Sequence, residues 1–341
     1  MSEISVVGVD LGKNVIHVHG ADGRGKPLLQ KALRRNRFEQ FMANVGPCTV
    51  GMEACSGSHY WARTLRRHGH EVRLLSPKYA RAYVKTNKND WRDAEAIVEA
   101  MSRPTMRYVR EKPVEAQAWQ MVHRVRQRIV KQRSALANQT RGFLAEFGVF
   151  IPRGIGALRR RLPQVLEDGA NELPGRARRV LHELYEELCA LDERVATLDA
   201  QLEEHGREDP LCQRLREVPG IGVVTASALV AAVGDARQFT SGRDLAAWLG
   251  LVPRQHSTGG RTVLGGISKR GDRYLRTLLV HGARAALARV NENSDPRLRW
   301  AAGLRARRGH NVAVVALANK LARAAWAVLS RHEPYRGAMA S

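Results

Sequence analysis

Residues 4–33 read ISVVGVDLGKNVIHVHGADGRGKPLLQKAL. Ile4-Ser5-Val6-Val7-Gly8-Val9 is an apolar run of strand length, and residues 15–19 form a second. Ala21-Asp22-Gly23-Arg24-Gly25 is a hairpin turn leading into a third strand over 27–33. Working outward, Asn36 with Glu39 three residues later reads as a capping box opening a helix through Val45. A strand over 49–52, a helix from about Ser58 to His68, a strand over 71–75 and a helix after Asn89 follow.

Three meandering strands followed by alternating helices and strands make an α/β domain, in the order of the ribonuclease H type of fold. Beyond it the pattern is helical. Leu181, Leu184, Leu188, Leu191, Val195, Leu198 and Leu202 advance by three and four alternately, as a coiled-coil seam does. Val122, Val125, Ile129, Leu136 and Phe143 keep the same rhythm, with Gln132 and Gln139 at two seam positions. A seam specifies a partner helix but not its owner, so both packing within one chain and a dimer-forming stalk satisfy it. From about residue 211, short helices are broken by glycine. Val218-Pro219-Gly220-Ile221-Gly222 ahead of Thr225–Ala231 resembles a helix-hairpin-helix, whose turn offers backbone N–H groups to a phosphate. A tight turn between packed helices uses the same residues. The expected organisation is an α/β domain over 1–110, a helical coiled-coil region over 111–210 that serves dimerisation, and a mainly helical domain over 211–341.

The chain has 341 residues, 44% hydrophobic and 26% charged, enough for a core without staples. The four cysteines (Cys48, Cys55, Cys189 and Cys212) form no C-x-x-C pair, against a zinc ribbon or a disulfide framework. No uninterrupted apolar run approaches the roughly 18 residues of a bilayer span, and the N-terminus lacks the layout of a secretion signal, so a cytoplasmic protein without a membrane partner is expected. Lys and Arg number 56 against 33 acids, a net charge of +23. An excess of this size points to a polyanion, because each phosphate neutralised releases condensed counterions.

Asp10 and Glu53 each close an apolar strand, where ligands of open sheets bind. Asp90 and Asp93 open a helix at an i, i+3 spacing that puts both on one face. Four converging carboxylates repel unless divalent cations neutralise them, and an all-oxygen set suits Mg²⁺, with Mn²⁺ an alternative. Two such ions about 4 Å apart serve phosphodiester chemistry. Singly, each acid has a plain role in a turn, a cap or the field of a helix dipole.

With these residues in view, the sequence resembles the DEDD insertion-sequence transposases of the one-ten/eleven-eleven group, which include the pilin-gene invertase. The resemblance spans nearly the whole chain: G-V-D-L-G-K at 8–13, G-M-E-A at 51–54, K-N-D-W-R-D-A at 88–94, the P-G-I-G turn, and a C-terminal block. That block, the most specific, runs from Gly250 through Arg254-Gln255-His256-Ser257-Thr258-Gly259-Gly260 to Gly266-Ile267-Ser268-Lys269-Arg270-Gly271-Asp272-Arg273-Tyr274-Leu275-Arg276. The resemblance implies a domain similar to the Holliday-junction resolvase RuvC, with Asp10, Glu53, Asp90 and Asp93 as its metal-binding acids. It also implies a C-terminal transposase domain in which Ser257 attacks DNA and forms a phosphoserine intermediate. Donor and target DNA and a noncoding bridge RNA are the implied partners. A homo-oligomer is implied as well, a dimer or, around two DNAs, a tetramer that places the acids of one subunit near the serine of another. Trp91 stands where relatives often carry arginine.

Ser257 stands twelve residues before Lys269, the spacing of the family pattern, and is preferred over Thr258. Gly259 and Gly260 give close backbone access to a phosphate, and Lys269, Arg270 and Arg276 supply positive charge. His256 is a weaker candidate for a general base, since neighbours in sequence often point apart. Arg34, Arg35, Arg66, Arg67, Lys85 and Lys88 are candidate contacts to nucleic acid. Three rivals predict different things. A metal-dependent nuclease cutting with water needs the acids but not Ser257. A non-catalytic nucleic-acid-binding protein needs neither. A sugar-kinase-like phosphotransferase needs a second loop, D-x-G-x-S/T, which the sequence lacks.

Overall fold

The computed structural model describes residues 3–83 and 89–335. The chain is mixed α/β and divides into two compact units, residues 1–113 and 114–341.

The first unit contains β1 (Val6–Leu11), β2 (Val15–Ala21), β3 (Pro27–Arg34), α1 (Arg35–Ala43), β4 (Thr49–Glu53), α2 (Ser58–Arg67), β5 (Glu71–Leu75), α3 (Pro77–Ala80), α4 (Asp90–Met101) and β6 (Tyr108–Val109). One six-stranded sheet runs β3-β2-β1-β4-β5-β6. The first three strands pair antiparallel, β1, β4 and β5 pair parallel, and β6 pairs antiparallel to β5. Alternation divides the side chains between two faces. Val7, Val9, Ile16, Val18, Val50 and Met52 bury against Phe38 and Met42 of α1 and Trp61, Ala62 and Leu65 of α2. On the opposite face Gly8 and Gly51, register partners, meet α4. A Cβ at Gly8 would stand 2.2 Å from the Ala94 carbonyl oxygen, and one at Gly51 2.3 Å from Met101 Sδ. These two missing side chains let α4 lie flat on the sheet.

The turn at Asp22 forms as read: its carboxylate accepts from the Arg24 and Lys26 N–H groups, both at 2.9 Å. The capping box does not. Antiparallel pairing carries β3 to Arg34, and the Arg35 N–H donates to the Asn14 carbonyl at 3.1 Å, so α1 starts one residue before Asn36, with no side-chain cap. Glu39 instead meets His68 Nε2 at 3.1 Å.

The second unit contains α5 (Val114–Ala145), α6 (Ile155–Glu167), α7 (Gly175–Glu208), α8 (Pro210–Arg216), α9 (Val223–Val233), α10 (Gly242–Trp248), β7 (Pro253–Thr258), β8 (Arg261–Ile267), α11 (Arg273–Ala288), α12 (Pro296–Arg308) and α13 (His310–Arg331). The leucine seam of α7 packs within the chain: Leu181, Leu188, Leu191 and Val195 share a core with Ile129, Leu136 and Leu144 of α5 and Leu158 and Leu162 of α6. Ion pairs flank it, Arg133–Asp192 at 2.7 Å and Arg126–Asp199. The seam read on α5 is corrected in part: Val125 and Phe143 are exposed, while His123, Ala137, Thr140 and Leu144 are buried. A straight helix drifts from a strict seven-residue repeat, so its buried stripe leaves those positions. Leu188 is 1% exposed. Leu188→Ala is expected to cost about 2–5 kcal/mol in urea denaturation, by loss of transfer energy and by the cavity left.

A larger core joins α8 to α13. By length and composition α13 is apolar enough to cross a membrane, despite Lys320 and Arg323, and 56% of its apolar window is buried in this core. Gly220 (φ +99°) packs against α11: a Cβ there would stand 3.1 Å from the Gly282 carbonyl oxygen, and one on Gly282 would stand 1.9 Å from that of Gly220. Packing therefore accounts for this glycine of the P-G-I-G turn. Gly222 caps α9 with open space around it.

Candidate functional site

Alternation puts Asp10 on the same face of β1 as Gly8, and Glu53 on the same face of β4 as Gly51, so both carboxylates rise on the side covered by α4. Asp90 opens α4, capped by the Asn89 side chain, which accepts from the Trp91 N–H at 3.0 Å. Because α4 lies flat on the glycines, its first turn comes to the carboxyl ends of β1 and β4. Asp10 is pushed up from the ordinary carboxylate range to about 6, first by burial and then by Asp90, Asp93 and Glu53, with His17 opposing. All four acids read from the sequence thus share one electrostatic neighbourhood.

His17 is a fifth member that sequence reasoning missed. It is the register partner of Asp10 on β2, and ligand atoms of Asp10, His17 and Asp90 all lie within 4.8 Å of one another. Its Nδ1 is buried without a hydrogen-bond partner among the described residues, 4.0 Å from Asp90 Oδ2. Trp91 stands edge-on to this imidazole, ring centroids 4.7 Å apart, and helps to fix it. The available signal was alternation on β2, which sends His17 and His19 to the face opposite Ile16 and Val18.

Crowded negative charge that raises a carboxyl, beside an imidazole nitrogen with no partner, is the donor set a divalent cation satisfies, and the residues fit such an ion. Cys55 borders the cluster: burial, Glu53 and Asp10 hold its thiol above its ordinary value, with Arg35 opposing. Arg35 Nη1 donates to the Gly12 carbonyl at 3.2 Å. Arg66 is spent on Glu111 (3.0 Å) and the Val72 carbonyl (2.8 Å), and Arg67 on Thr64 Oγ1 (3.2 Å). Lys85 and Lys88 lie outside the described residues.

In the second unit Ser257 lies on β7, exposed, opposite Thr262 of β8. Its Oγ accepts from Gln255 Nε2 at 2.8 Å and lies 3.3 Å from Thr262 Oγ1. Gly259 and Gly260, at φ +53° and +75°, form the two-residue turn of this hairpin. His256 pairs with Val263 and, by alternation, faces away from Ser257. Lys269 takes a left-handed conformation (φ +54°), its N–H donating to the Gly250 carbonyl at 3.1 Å. Arg270 follows, exposed, while Arg276 Nη1 donates to the Leu249 carbonyl at 2.9 Å.

A second group with ligating atoms, His205, Asp209 and Cys212, has local roles. Asp209 caps α8, His205 stacks on Trp119, and the buried Cys212 thiol is pushed up to about 12 by burial.

Comparison with known proteins places these features in a wider set. A family model described as "Transposase IS116/IS110/IS902 family" matches residues 212–299, and a DEDD transposase model matches residues 7–149. A probable family 20 transposase of Pseudomonas aeruginosa is 51% identical over 98% of this chain and 99% of its own length. The transposase for insertion sequence element IS1328 of Yersinia enterocolitica is 44% identical over 97% of this chain and 98% of its own. That for IS1111A of Coxiella burnetii is also 44% identical, over 98% and 92%.

Proposed function

The chain belongs to the IS116/IS110/IS902 family of insertion-sequence transposases, and from that premise we propose that it recombines DNA through the Asp10 cluster and Ser257 acting in one strand-exchange reaction. The observation that carries this reading is the crowding around Asp10, whose carboxyl is raised to about 6 by burial and by Asp90, Asp93 and Glu53.

In this reading the first unit is a RuvC-like domain, supported by its strand order β3-β2-β1-β4-β5. Asp10, Glu53, Asp90 and Asp93, with His17 beside them, hold divalent metal, of which Mg²⁺ suits the oxygen-rich set best. When bound, the metal supplies positive charge against the phosphate oxygens and lowers the pKa of a coordinated oxygen nucleophile. Ser257 is presented on an exposed hairpin, and Gln255, which donates to its Oγ, leaves the serine proton free to depart. Its Oγ forms a bond to phosphorus as the bond from phosphorus to the bridging ribose oxygen breaks. The serine proton goes to solvent and the departing oxygen takes one up. A ribose hydroxyl of the second DNA then bonds to phosphorus as the bond to Ser257 Oγ breaks, its proton going to solvent while Oγ takes one up, so the number of phosphodiesters is conserved and no outside energy source is needed. The chain acts as a homo-oligomer, and a noncoding guide RNA selects the two DNAs, all of them polyanions of the kind that a charge of +23 calls for.

The test is a denaturing gel of end-labelled donor DNA incubated with the full chain and Mg²⁺. A protein–DNA adduct is expected in the wild type and absent in Ser257→Ala. Cut DNA without adduct, unchanged in Ser257→Ala, would instead identify a nuclease using water. Binding with neither product would identify a non-catalytic protein.

A further inference from the structure

Three basic side chains of the second unit gather where α10 and α13 meet, joined by a fourth from α12. Ser241, Arg243, Arg297, Lys320, Arg323 and Trp326 line a cavity of about 530 Å³, within the range that holds a nucleotide-sized group. The cations come from separate elements: Arg243 from the first turn of α10, Arg297 from α12, and Lys320 and Arg323 from consecutive turns of α13. Lys320 and Arg323 are also the charges that interrupt the otherwise apolar stretch of α13. Lys320 is half-buried on this cavity wall and carries a desolvation cost, which needs a reason in a core helix, while Arg243 and Arg323 are exposed.

Their charge is not balanced within the fold. Among the described residues no carboxylate pairs with Arg243, Lys320 or Arg323. Arg297 meets Asp295 Oδ2 at 3.9 Å, but Asp295 is 8% exposed and also accepts from the Tyr335 hydroxyl at 2.5 Å, so its charge is spent there. Lys320 Nζ lies over the Trp300 ring, 4.2 Å from its centroid, which holds the ammonium without neutralising it. Burial, with Arg323 and Arg297 adding repulsion, holds Lys320 below its ordinary pKa. Trp326 gives the cavity a fixed wall, its Nε1–H donating to the Phe239 carbonyl at 3.2 Å. Unpaired cations around a roomy cavity are relieved by an anion with several acceptor oxygens, and guanidinium and ammonium groups together match a phosphate.

We infer that this cavity is a phosphate pocket that grips a nucleic-acid backbone, lined by residues that belong neither to the Asp10 cluster nor to the Ser257 hairpin. It rests on the proposed function only in taking the phosphate to be part of a nucleic acid. Arg243, Lys320 and Arg323 pair with phosphodiester oxygens, and Arg297, tied to Asp295 and Tyr335, sets the depth of the pocket.

The test is fluorescence anisotropy of the full chain in EDTA, with a labelled DNA duplex and a labelled RNA hairpin as separate probes, over a series of KCl concentrations. Working in EDTA separates gripping from cutting. A wild type that binds but never forms the Ser257 adduct would sink the recombinase reading and leave this one standing. The expected result for the double variant Lys320→Gln/Arg323→Gln is an affinity lower by about tenfold or more at low salt. Its slope of log affinity against log salt should be shallower by about two on duplex DNA, since each lost phosphate contact removes ~0.9. Arg243→Gln, an exposed change that does not touch the core helix, is expected to lower the slope by about one and keeps the test decisive if the α13 variant melts early. A change confined to the DNA probe assigns the backbone to DNA, and one confined to the hairpin assigns it to RNA. Wild-type affinity and slope retained by Arg243→Gln and by the folded double variant on both probes would overturn the pocket.

Discussion

Asp10→Asn is expected to lower strand cutting and adduct formation by about a thousandfold or more while leaving the metal-free protein at least as stable as the wild type at pH 7. The two outcomes have one cause. Asp10 is a half-buried member of a crowded acid cluster, and its carboxyl is raised to about 6 by burial and by Asp90, Asp93 and Glu53. Asparagine keeps the shape but removes the charge, so both the repulsion and the principal anionic ligand are lost. The sign of the pH effect follows. A carboxyl raised above its ordinary value of 3.8 holds its proton more tightly in the folded chain than in the unfolded one. Its contribution to stability is therefore largest below that value and is lost as pH rises to about 6. Thermal melts of metal-free wild type should show this decline, and Asp10→Asn should lack it. Added Mg²⁺ or Mn²⁺ at pH 7 should raise the wild-type melting temperature and leave that of Asp10→Asn nearly unchanged. Full strand cutting by Asp10→Asn, or a melt indifferent to added cation in the wild type, would remove Asp10 from the centre.

Gly8→Ala is expected to destabilise the fold of the first unit by about 3 kcal/mol. The added Cβ would stand 2.2 Å from the Ala94 carbonyl oxygen and 2.8 Å from Val98 Cγ2. The first of these is backbone in the middle of α4, so the helix itself must lift. Gly51→Ala is the control. Its Cβ would meet Met101 Sδ at 2.3 Å, the end of a flexible side chain that can turn aside, and about 1 kcal/mol is expected. Urea midpoints measure both. Because α4 carries Asp90 and Asp93, Gly8→Ala is also expected to weaken cation binding, whereas Gly51→Ala should spare it. Equal stability of Gly8→Ala and wild type would mean that α4 does not lie on β1 as described.

Local pattern made part of the first unit readable. An apolar run closed by an acid needs no knowledge of the partner strand, so Asp10 and Glu53, at the carboxyl ends of β1 and β4, were visible in the residues alone. The i, i+3 spacing of Asp90 and Asp93 and the leucine rhythm of α7 are likewise properties of a single helix. The capping box at Asn36 was misread because strand pairing with Val15 extends β3 to Arg34 and moves the helix start. The α5 seam was misread because a straight helix drifts from a strict seven-residue repeat, and the P-G-I-G turn has a second reading in the contact of Gly220 with Gly282.

Sequence by itself determined the order of the first five strands and their helices, the helix faces on which Asp90, Asp93 and the leucines lie, and a charge that calls for a polyanion, because these depend on neighbours a few residues apart. Only the tertiary structure decided that His17 joins Asp10, that two glycines seat α4, that the leucine seam is filled by helices of the same chain, and that four cations from α10, α12 and α13 surround one cavity. Each of these depends on which distant segment arrives at a given face. The net free energy of packing settles that choice, and no local period records it.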